Sequence, residues 1–507
     1  MKARVKVDLE RKIGTINRNI YGQFMSRRPG CSEGGLYDPD SPTADEYGLR
    51  RNVVQYISDL RPPVMRWPGG CTGTSYHWLD GVGPVEQRPR KIDLHFGWEA
   101  RYEFGTDEFL AFCRRIGTEP QLNLATGTAT LEEGAAWLEY CNSTFDTLYA
   151  NLRRRNGHPE PYNVKYWQIG NEMYGPWEIG YCKPEEYAAQ AREMAKVLRR
   201  LDPRISILAV GGNEEFSPEW VQAVVPEVGP YVDYITFHTY WRDRPDDPWN
   251  SMMAGPHRAE AAIDYIASVI RMEGLRRRQQ RKLSIAITEW NASPEGGMMG
   301  NHPVYKPFGP TYTLRDALAV ASFINIMQRH CRDVTLANVA QSINVVGLIM
   351  VNKEDVWREP VYWPLHMQVH HSGPLALDAL VECDTFAESS APGSRSPVWC
   401  PQYRPMSDLS YLDCSATFDP QQRKLYLSLV NRHRDDALQV SVAVPEPRVN
   451  SQGSVHELFH SDPMAMNSPA APDNVRSISR TTDGFASSFV WELKPHSYTI
   501  LELNITG

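Results

Sequence analysis

From residue 20 to residue 351, short runs rich in β-branched, aliphatic and aromatic residues alternate with longer stretches whose apolar positions recur every three or four residues. The short runs 20–24, 64–67, 121–126, 164–171, 206–210, 234–238, 284–289 and 345–351 read as eight strands. In residues 184–201, Tyr187, Ala191, Met194, Val197, Leu198 and Leu201 fall at helical spacing, and Pro184 suits a first turn, where its missing N–H is not needed. Residues 107–116, 131–155, 259–277 and 314–329 carry the same period. Strands alternating with helices imply an α/β fold with a parallel sheet, and eight units predict a (β/α)8 TIM barrel over residues 19–373. A doubly wound sheet would carry a glycine-rich phosphate loop after its first strand, and run 20–24 is followed by none.

Beyond Gly373 the period changes from helical to twofold. Leu425, Leu427 and Leu429 alternate with Tyr426 and Ser428, and 438–444, 489–493 and 498–503 also read as strands between Pro, Asp, Ser and Gly. This predicts a C-terminal antiparallel β-sandwich over residues 374–507, with an exposed loop at 389–397.

Composition narrows the class. A net charge of -8 over 507 residues, with no basic run, gives no footprint for nucleic acid or a membrane surface. No apolar stretch of about 18 residues is present to span a bilayer. Residues 1–11 lack the apolar segment of a secretory signal, and the nine cysteines are dispersed without CxxC spacing. The expectation is a cytoplasmic protein with free thiols.

Two of the predicted strands end in a glutamate. Tyr166-Trp167-Gln168-Ile169-Gly170-Asn171-Glu172 closes the fourth, and Ile285-Ala286-Ile287-Thr288-Glu289-Trp290 closes the seventh. Reacting groups of such barrels sit at the C-terminal ends of the strands. A carboxylate directly after an apolar strand costs free energy unless it is used or paired. Retaining glycosidases need two carboxyl groups about 5–5.5 Å apart, one protonated for the leaving group and one ionised to attack the anomeric carbon. A rigid barrel can hold two strand ends at that spacing. An ordinary rim ion pair accounts for one such glutamate more easily than for two.

Longer motifs sharpen the reading. Arg66-Trp67-Pro68-Gly69-Gly70-Cys71, Phe104-Gly105-Thr106-Asp107-Glu108-Phe109, Gly170-Asn171-Glu172-Met173-Tyr174-Gly175-Pro176-Trp177 and Leu427-Ser428-Leu429-Val430-Asn431-Arg432-His433 resemble the α-L-arabinofuranosidases of glycoside hydrolase family GH51, in the clan of (β/α)8 retaining glycosidases. The resemblance spans nearly the whole chain. It implies that a strand within residues 1–18 joins the C-terminal sandwich, that Glu172 is the acid/base and that Glu289 is the nucleophile. It further implies that Asn171 bonds the sugar 2-hydroxyl, that Arg66 keeps Glu289 ionised, and that His238 and Tyr240 frame the nucleophile. Cys71 and Trp290 are expected at the sugar as well. The implied enzyme is an exo-acting furanosidase and a homo-oligomer, taking a small oligosaccharide or glycoside, with no cofactor and no metal.

Three positions depart from the family pattern. Phe24-Met25-Ser26-Arg27 has Ser26 where the family places a sugar-touching glutamate, a family tryptophan is replaced near Ser293, and Arg358-Glu359 has Glu359 in place of a glutamine. Large-to-small changes and a new acceptor suggest a remodelled pocket, for which β-D-galactofuranose is the alternative sugar. A non-catalytic carbohydrate-binding protein is the alternative of another class, but it predicts a lost catalytic carboxylate, and neither glutamate is missing.

Overall fold

The computed structural model describes residues 1–214, 217–278, 282–293, 312–389, 405–446 and 448–506. After a long first strand, β1 (Lys2–Thr15), eight parallel strands close a barrel: β2 (Gly22–Phe24), β3 (Val64–Trp67), β4 (Glu119–Leu124), β5 (Tyr166–Ile169), β6 (Ser206–Val210), β7 (Tyr234–Trp241), β8 (Ser284–Ala292) and β9 (Val334–Ala340). The helices between them include α1 (Arg51–Asp59), α2 (Thr106–Ile116), α3 (Leu131–Asn142), α4 (Leu148–Arg155), α5 (Pro184–Leu201), α6 (Ser217–Val228), α7 (Pro248–Arg277), α8 (Leu314–Arg329) and α9 (Tyr362–His370).

The eighth strand differs from the expectation. Run 345–351 is not in the barrel; its end, Ile349–Val351, pairs with Val356–Arg358 in a small hairpin, and β9 closes the barrel instead. Val346, Leu348 and Ile349 are fully buried, so the apolar run signals burial in a loop segment, while Asn338 interrupts the run of the true strand. The helix expected over 131–155 is two, α3 and α4, divided where Ser143 leaves the helical conformation. Helix α7 starts at Pro248, earlier than its periodicity suggests.

Eight C-terminal strands join β1 in one continuous sheet of nine. In chain order they are β10 (Leu375–Cys383), β11 (Leu412–Asp419), β12 (Lys424–Asn431), β13 (Leu438–Ala443), β14 (Arg448–Leu458), β15 (Ser477–Thr482), β16 (Ser488–Leu493) and β17 (Ser497–Thr506). The spatial order is β15-β14-β17-β12-β11-β10-β1-β13-β16, antiparallel except where β1 runs parallel to β13. Strand β1 thus sits inside this sheet, and Val5 and Val7 share its core with Leu425, Leu427, Leu429, Leu501 and Leu503. The polar alternates of β12 do not face water. Ser428 donates to Asn325 of α8 at 2.6 Å, and Gln368 of α9 donates to Ser428 at 2.8 Å. Helix α8 is buried from Leu314 to Gln328, between barrel and sheet. The exposed loop read at 389–397 lies, beyond Ser389, outside the described residues.

Candidate active site

The barrel interior is built in layers. Val64, Tyr166, Leu208, Ala286 and Leu336 pack together as an apolar floor. Side chains repeat every second residue along a strand, so Arg66 and Gln168 stand one layer higher, where Gln121 donates to Gln168 at 3.0 Å. Above them lies the polar end that holds both glutamates.

Regular alternation in β8 would turn Glu289 away from the interior, because Ala286 faces it. The ladder to β7 jumps from Ile287↔Phe237 to Glu289↔His238, leaving Thr288 as an extra residue. Such a bulge re-aims the following side chain, and Glu289 points inward. Arg66 Nη1 donates to Glu289 Oε1 at 2.6 Å, and Tyr240 Oη donates to Oε2 at 2.7 Å. Arg66 is fully buried, so its charge acts through little intervening water. A Cβ on Gly70 would lie 2.5 Å from Glu289 Oε1, so only glycine admits the carboxylate there.

Glu172 follows β5 with φ of 44°, a left-handed conformation that is strained for a glutamate and characteristic of functional sites. Its Oε1 accepts from Tyr174 Oη at 3.2 Å and lies 2.9 Å from His238 Nδ1, while Oε2 accepts from Trp177 Nε1 at 2.8 Å. The other nitrogen of His238 is 2.8 Å from Thr288 Oγ1. Burial pushes the Glu172 carboxyl up, but His238, Trp177 and Tyr174 outweigh it and hold Glu172 below the usual range. Carboxylate oxygens of Glu172 and Glu289 lie within 4.8 Å of one another.

Asn171 ties the two halves together. Its Oδ1 accepts from Arg66 Nη2 at 2.6 Å, and its Nδ2 donates to Glu178 Oε1 at 3.0 Å. Sequence reading missed Glu178, which stands in the loop after Glu172 with no periodicity to mark it. Burial first, and then the charge of Glu172, pushes its carboxyl up to about 8. The other oxygen of Glu178 accepts from Thr74 Oγ1 at 3.2 Å. Cys71 packs beside this carboxyl, and burial together with the charge of Glu178 raises its thiol well above the ordinary value.

The structure therefore gathers Arg66, Cys71, Asn171, Glu172, His238, Tyr240 and Glu289 into one network. His238 takes a different partner from the one expected: it bonds Glu172, and Tyr240 alone of that pair bonds Glu289. Trp290 is not at the sugar side. Alternation after Glu289 turns it outward, where its ring is fully buried against Trp241 and Phe323 of α8. Ser26 is buried after β2 and donates to Gln341 Oε1 at 2.8 Å. Glu359 is buried with both oxygens engaged, accepting from Trp357 Nε1 at 2.8 Å and from the Tyr312 amide at 3.2 Å. Its carboxyl, raised to about 8 by burial, braces these segments and makes no recorded bond to the two facing glutamates. Ser293, at the position of the missing tryptophan, is fully buried.

Among the described residues, three groups could hold a metal ion: Glu172 with His238 and Glu289, Cys71 with His95 and Glu178, and His371 with His456 and Glu502. The first is the central network itself.

Comparisons with known proteins agree with this geometry. Residues 56–251 match the α-L-arabinofuranosidase 1 domain, and residues 289–497 match the α-L-arabinofuranosidase C-terminal domain. A probable α-L-arabinofuranosidase C of Aspergillus terreus is 37% identical over 453 residues, covering 87% of each chain. An intracellular exo-α-(1→5)-L-arabinofuranosidase of Bacillus subtilis is 33% identical over 448 residues, covering 86% of this chain and 85% of its own. A GH51 α-L-arabinofuranosidase structure from Thermotoga petrophila superposes with a TM-score of 0.89 at 34% identity, covering 99% of this chain and all of the other. The chain belongs to glycoside hydrolase family GH51, the α-L-arabinofuranosidases.

Proposed function

We propose that this enzyme is a retaining, exo-acting α-L-arabinofuranosidase that works by double displacement. The observation that carries the reading is the pair Glu172 and Glu289, with oxygens within 4.8 Å, one anchored by a guanidinium and the other by an imidazole. Arg66 and Tyr240 hold the Glu289 carboxylate in place for attack on the anomeric carbon. Glu172, whose partners hold it below the usual range, must take up a proton as substrate binds and then gives it to the departing oxygen. Once Glu289 is esterified its negative charge is gone, so Glu172 loses a proton more readily and takes one from water. Hydrolysis of the glycosyl-enzyme then releases the sugar with retained configuration. Asn171, oriented by Arg66 and Glu178, is placed to bond a sugar hydroxyl.

The names of the relatives support arabinofuranose as the sugar. Galactofuranose loses the support Glu359 was expected to give, since both of its oxygens are occupied. The eight cysteines among the described residues are free thiols and the Bacillus relative is named intracellular, which supports a cytoplasmic enzyme acting on short oligosaccharides. Family membership supports a homo-oligomer, which light scattering of the purified chain tests.

The decisive assay compares aryl α-L-arabinofuranoside, β-D-galactofuranoside, β-D-xyloside and β-D-glucoside, with Glu289→Ala as control. Arabinofuranoside turnover should dominate and disappear in the variant. Dominant turnover of another glycoside would refute the sugar assignment, and activity retained by Glu289→Ala would refute the nucleophile.

A further inference from the structure

Beside the facing glutamates lies a second cluster that the proposed reaction does not use in full. Cys71 comes from the segment after β3, Glu178 from the segment after β5, and His95 from the turn joining the short strands Lys91–Ile92 and Glu99–Ala100. The turn is fixed by Asp93, whose Oδ1 accepts from the amides of His95 and Phe96 at 3.1 and 2.9 Å. The His95 ring rests against Phe96, with centroids 4.3 Å apart.

One ligand atom from each residue, the Cys71 sulfur, a His95 ring nitrogen and a Glu178 oxygen, lies within 4.8 Å of the others. His95 Nδ1 is 3.9 Å from Glu178 Oε2. This nitrogen is buried and has no hydrogen-bond partner among the described residues. A buried polar nitrogen left unsatisfied is costly and calls for an explanation. Zinc–ligand bonds are about 2.0–2.3 Å, so ligand atoms of a tetrahedral site stand roughly 3.3–3.8 Å apart. The His95–Glu178 separation is close to that edge, and the turn carrying His95 needs to move only slightly. Thiolate, imidazole and carboxylate together suit a borderline divalent ion and suit magnesium or calcium poorly. The surroundings favour a cation too, because Glu172, Glu178 and Glu289 all act on Cys71.

We propose that Cys71, His95 and Glu178 form an inhibitory site for zinc or a similar divalent transition metal, set against the sugar pocket. On binding, the Cys71 thiol and the Glu178 carboxyl release their protons to solvent, and neither group changes oxidation state. Glu178 is drawn from Asn171, and the ion occupies the face that Cys71 presents to the sugar. Zinc and sugar therefore exclude each other, and the ion is an inhibitor rather than a cofactor.

The test uses the full chain, stripped with chelator, and begins with a readout that needs no turnover. Cobalt(II) should give a near-ultraviolet thiolate-to-cobalt charge-transfer band saturating at one equivalent, present in the wild type and absent in Cys71→Ser. In the arabinofuranoside assay, zinc at ten times its Kd should raise KM about tenfold with kcat unchanged. Removing one ligand by His95→Gln should weaken that inhibition at least about tenfold, measured against the variant's own metal-free rate. Melting temperatures equal to the wild type's establish that both variants fold. No band in the wild type, a band retained in Cys71→Ser, or equal zinc inhibition in His95→Gln would each overturn the site. Failure of the sugar assignment alone leaves the cobalt result standing.

Discussion

Glu289 and Glu172 approach within 4.8 Å, yet the ends of β8 and β5 hold them by different chemistry. Glu289 sits on a strand, re-aimed by a bulge, against a buried guanidinium that never loses its charge. Glu172 sits past its strand in left-handed backbone, against an imidazole and two neutral donors. A permanent countercharge suits a group that must stay ionised. Partners without a fixed charge suit a group that must be acid in one step and base in the next. The contrast supports the two proposed roles without reference to relatives, and it can be broken from either side.

The largest expected effect separates the two glutamates directly. Glu289→Ala and Glu172→Ala should each lower kcat/KM for a natural oligosaccharide by roughly 10⁴ or more, since each removes a whole chemical role. With azide and an activated aryl arabinofuranoside the two should diverge. Glu172→Ala should regain turnover and yield a glycosyl azide of retained configuration, because the covalent intermediate still forms. Glu289→Ala should yield the inverted azide. The reverse pattern, read by proton NMR of the product, exchanges the roles.

Next comes the fixed charge. Arg66→Met removes the cation from Glu289 and the donor from Asn171, and should cost about 10²–10³ in kcat/KM, as losses of buried charge stabilisation do. Tyr240→Phe removes one hydrogen bond to the same carboxylate, about 1.5–3 kcal/mol, and should cost about 10–100-fold in kcat/KM.

The imidazole side is read from the alkaline limb of the pH–rate profile. Burial raises the Glu172 carboxyl, and His238, Trp177 and Tyr174 together outweigh it, with His238 the largest of the three. In His238→Gln the largest of the lowering partners is gone, so the Glu172 carboxyl rises and keeps its proton to higher pH. The alkaline limb of kcat/KM should then shift upward while the acid limb stays in place. An unmoved alkaline limb would mean that His238 does not govern the acid.

These contrasts also show what the sequence could and could not disclose. Strands β3 and β6 and helices α5 and α8 end where their periodicity ends, because burial on one face, or on all of them for α8, is written into residue spacing. The glutamates were legible as acids closing apolar strands. The bulge at Thr288 was not, because strict alternation would have turned Glu289 outward and Trp290 inward, and it is a one-residue slip against β7 that reverses them. Partner choice was likewise hidden: His238 and Tyr240 are two residues apart, yet one reaches Glu172 and the other Glu289. Glu178 gave no signal because it lies in a loop and is buried by tertiary contacts, and run 345–351 misled because an apolar loop can be as buried as a strand.

The smallest effect concerns the carboxyl that left the expected pocket. Glu359 is braced by Trp357 and Tyr312 and raised to about 8 by burial, so the folded chain holds its proton far more tightly than the unfolded chain does. Its stabilising contribution is complete below the ordinary carboxylate range, falls as pH climbs, and is exhausted above about 8. Glu359→Gln cannot ionise, but its amide offers one acceptor oxygen where the acid offers two. The variant should therefore melt below the wild type at pH 5, and the gap should close or reverse by pH 8.5, on a scale of a few degrees. Initial rates on arabinofuranoside should stay within about twofold, as expected for a residue that makes no bond to the reacting groups. A rate loss of tenfold or more with an unchanged melting curve would return Glu359 to the sugar pocket and reopen the galactofuranose reading.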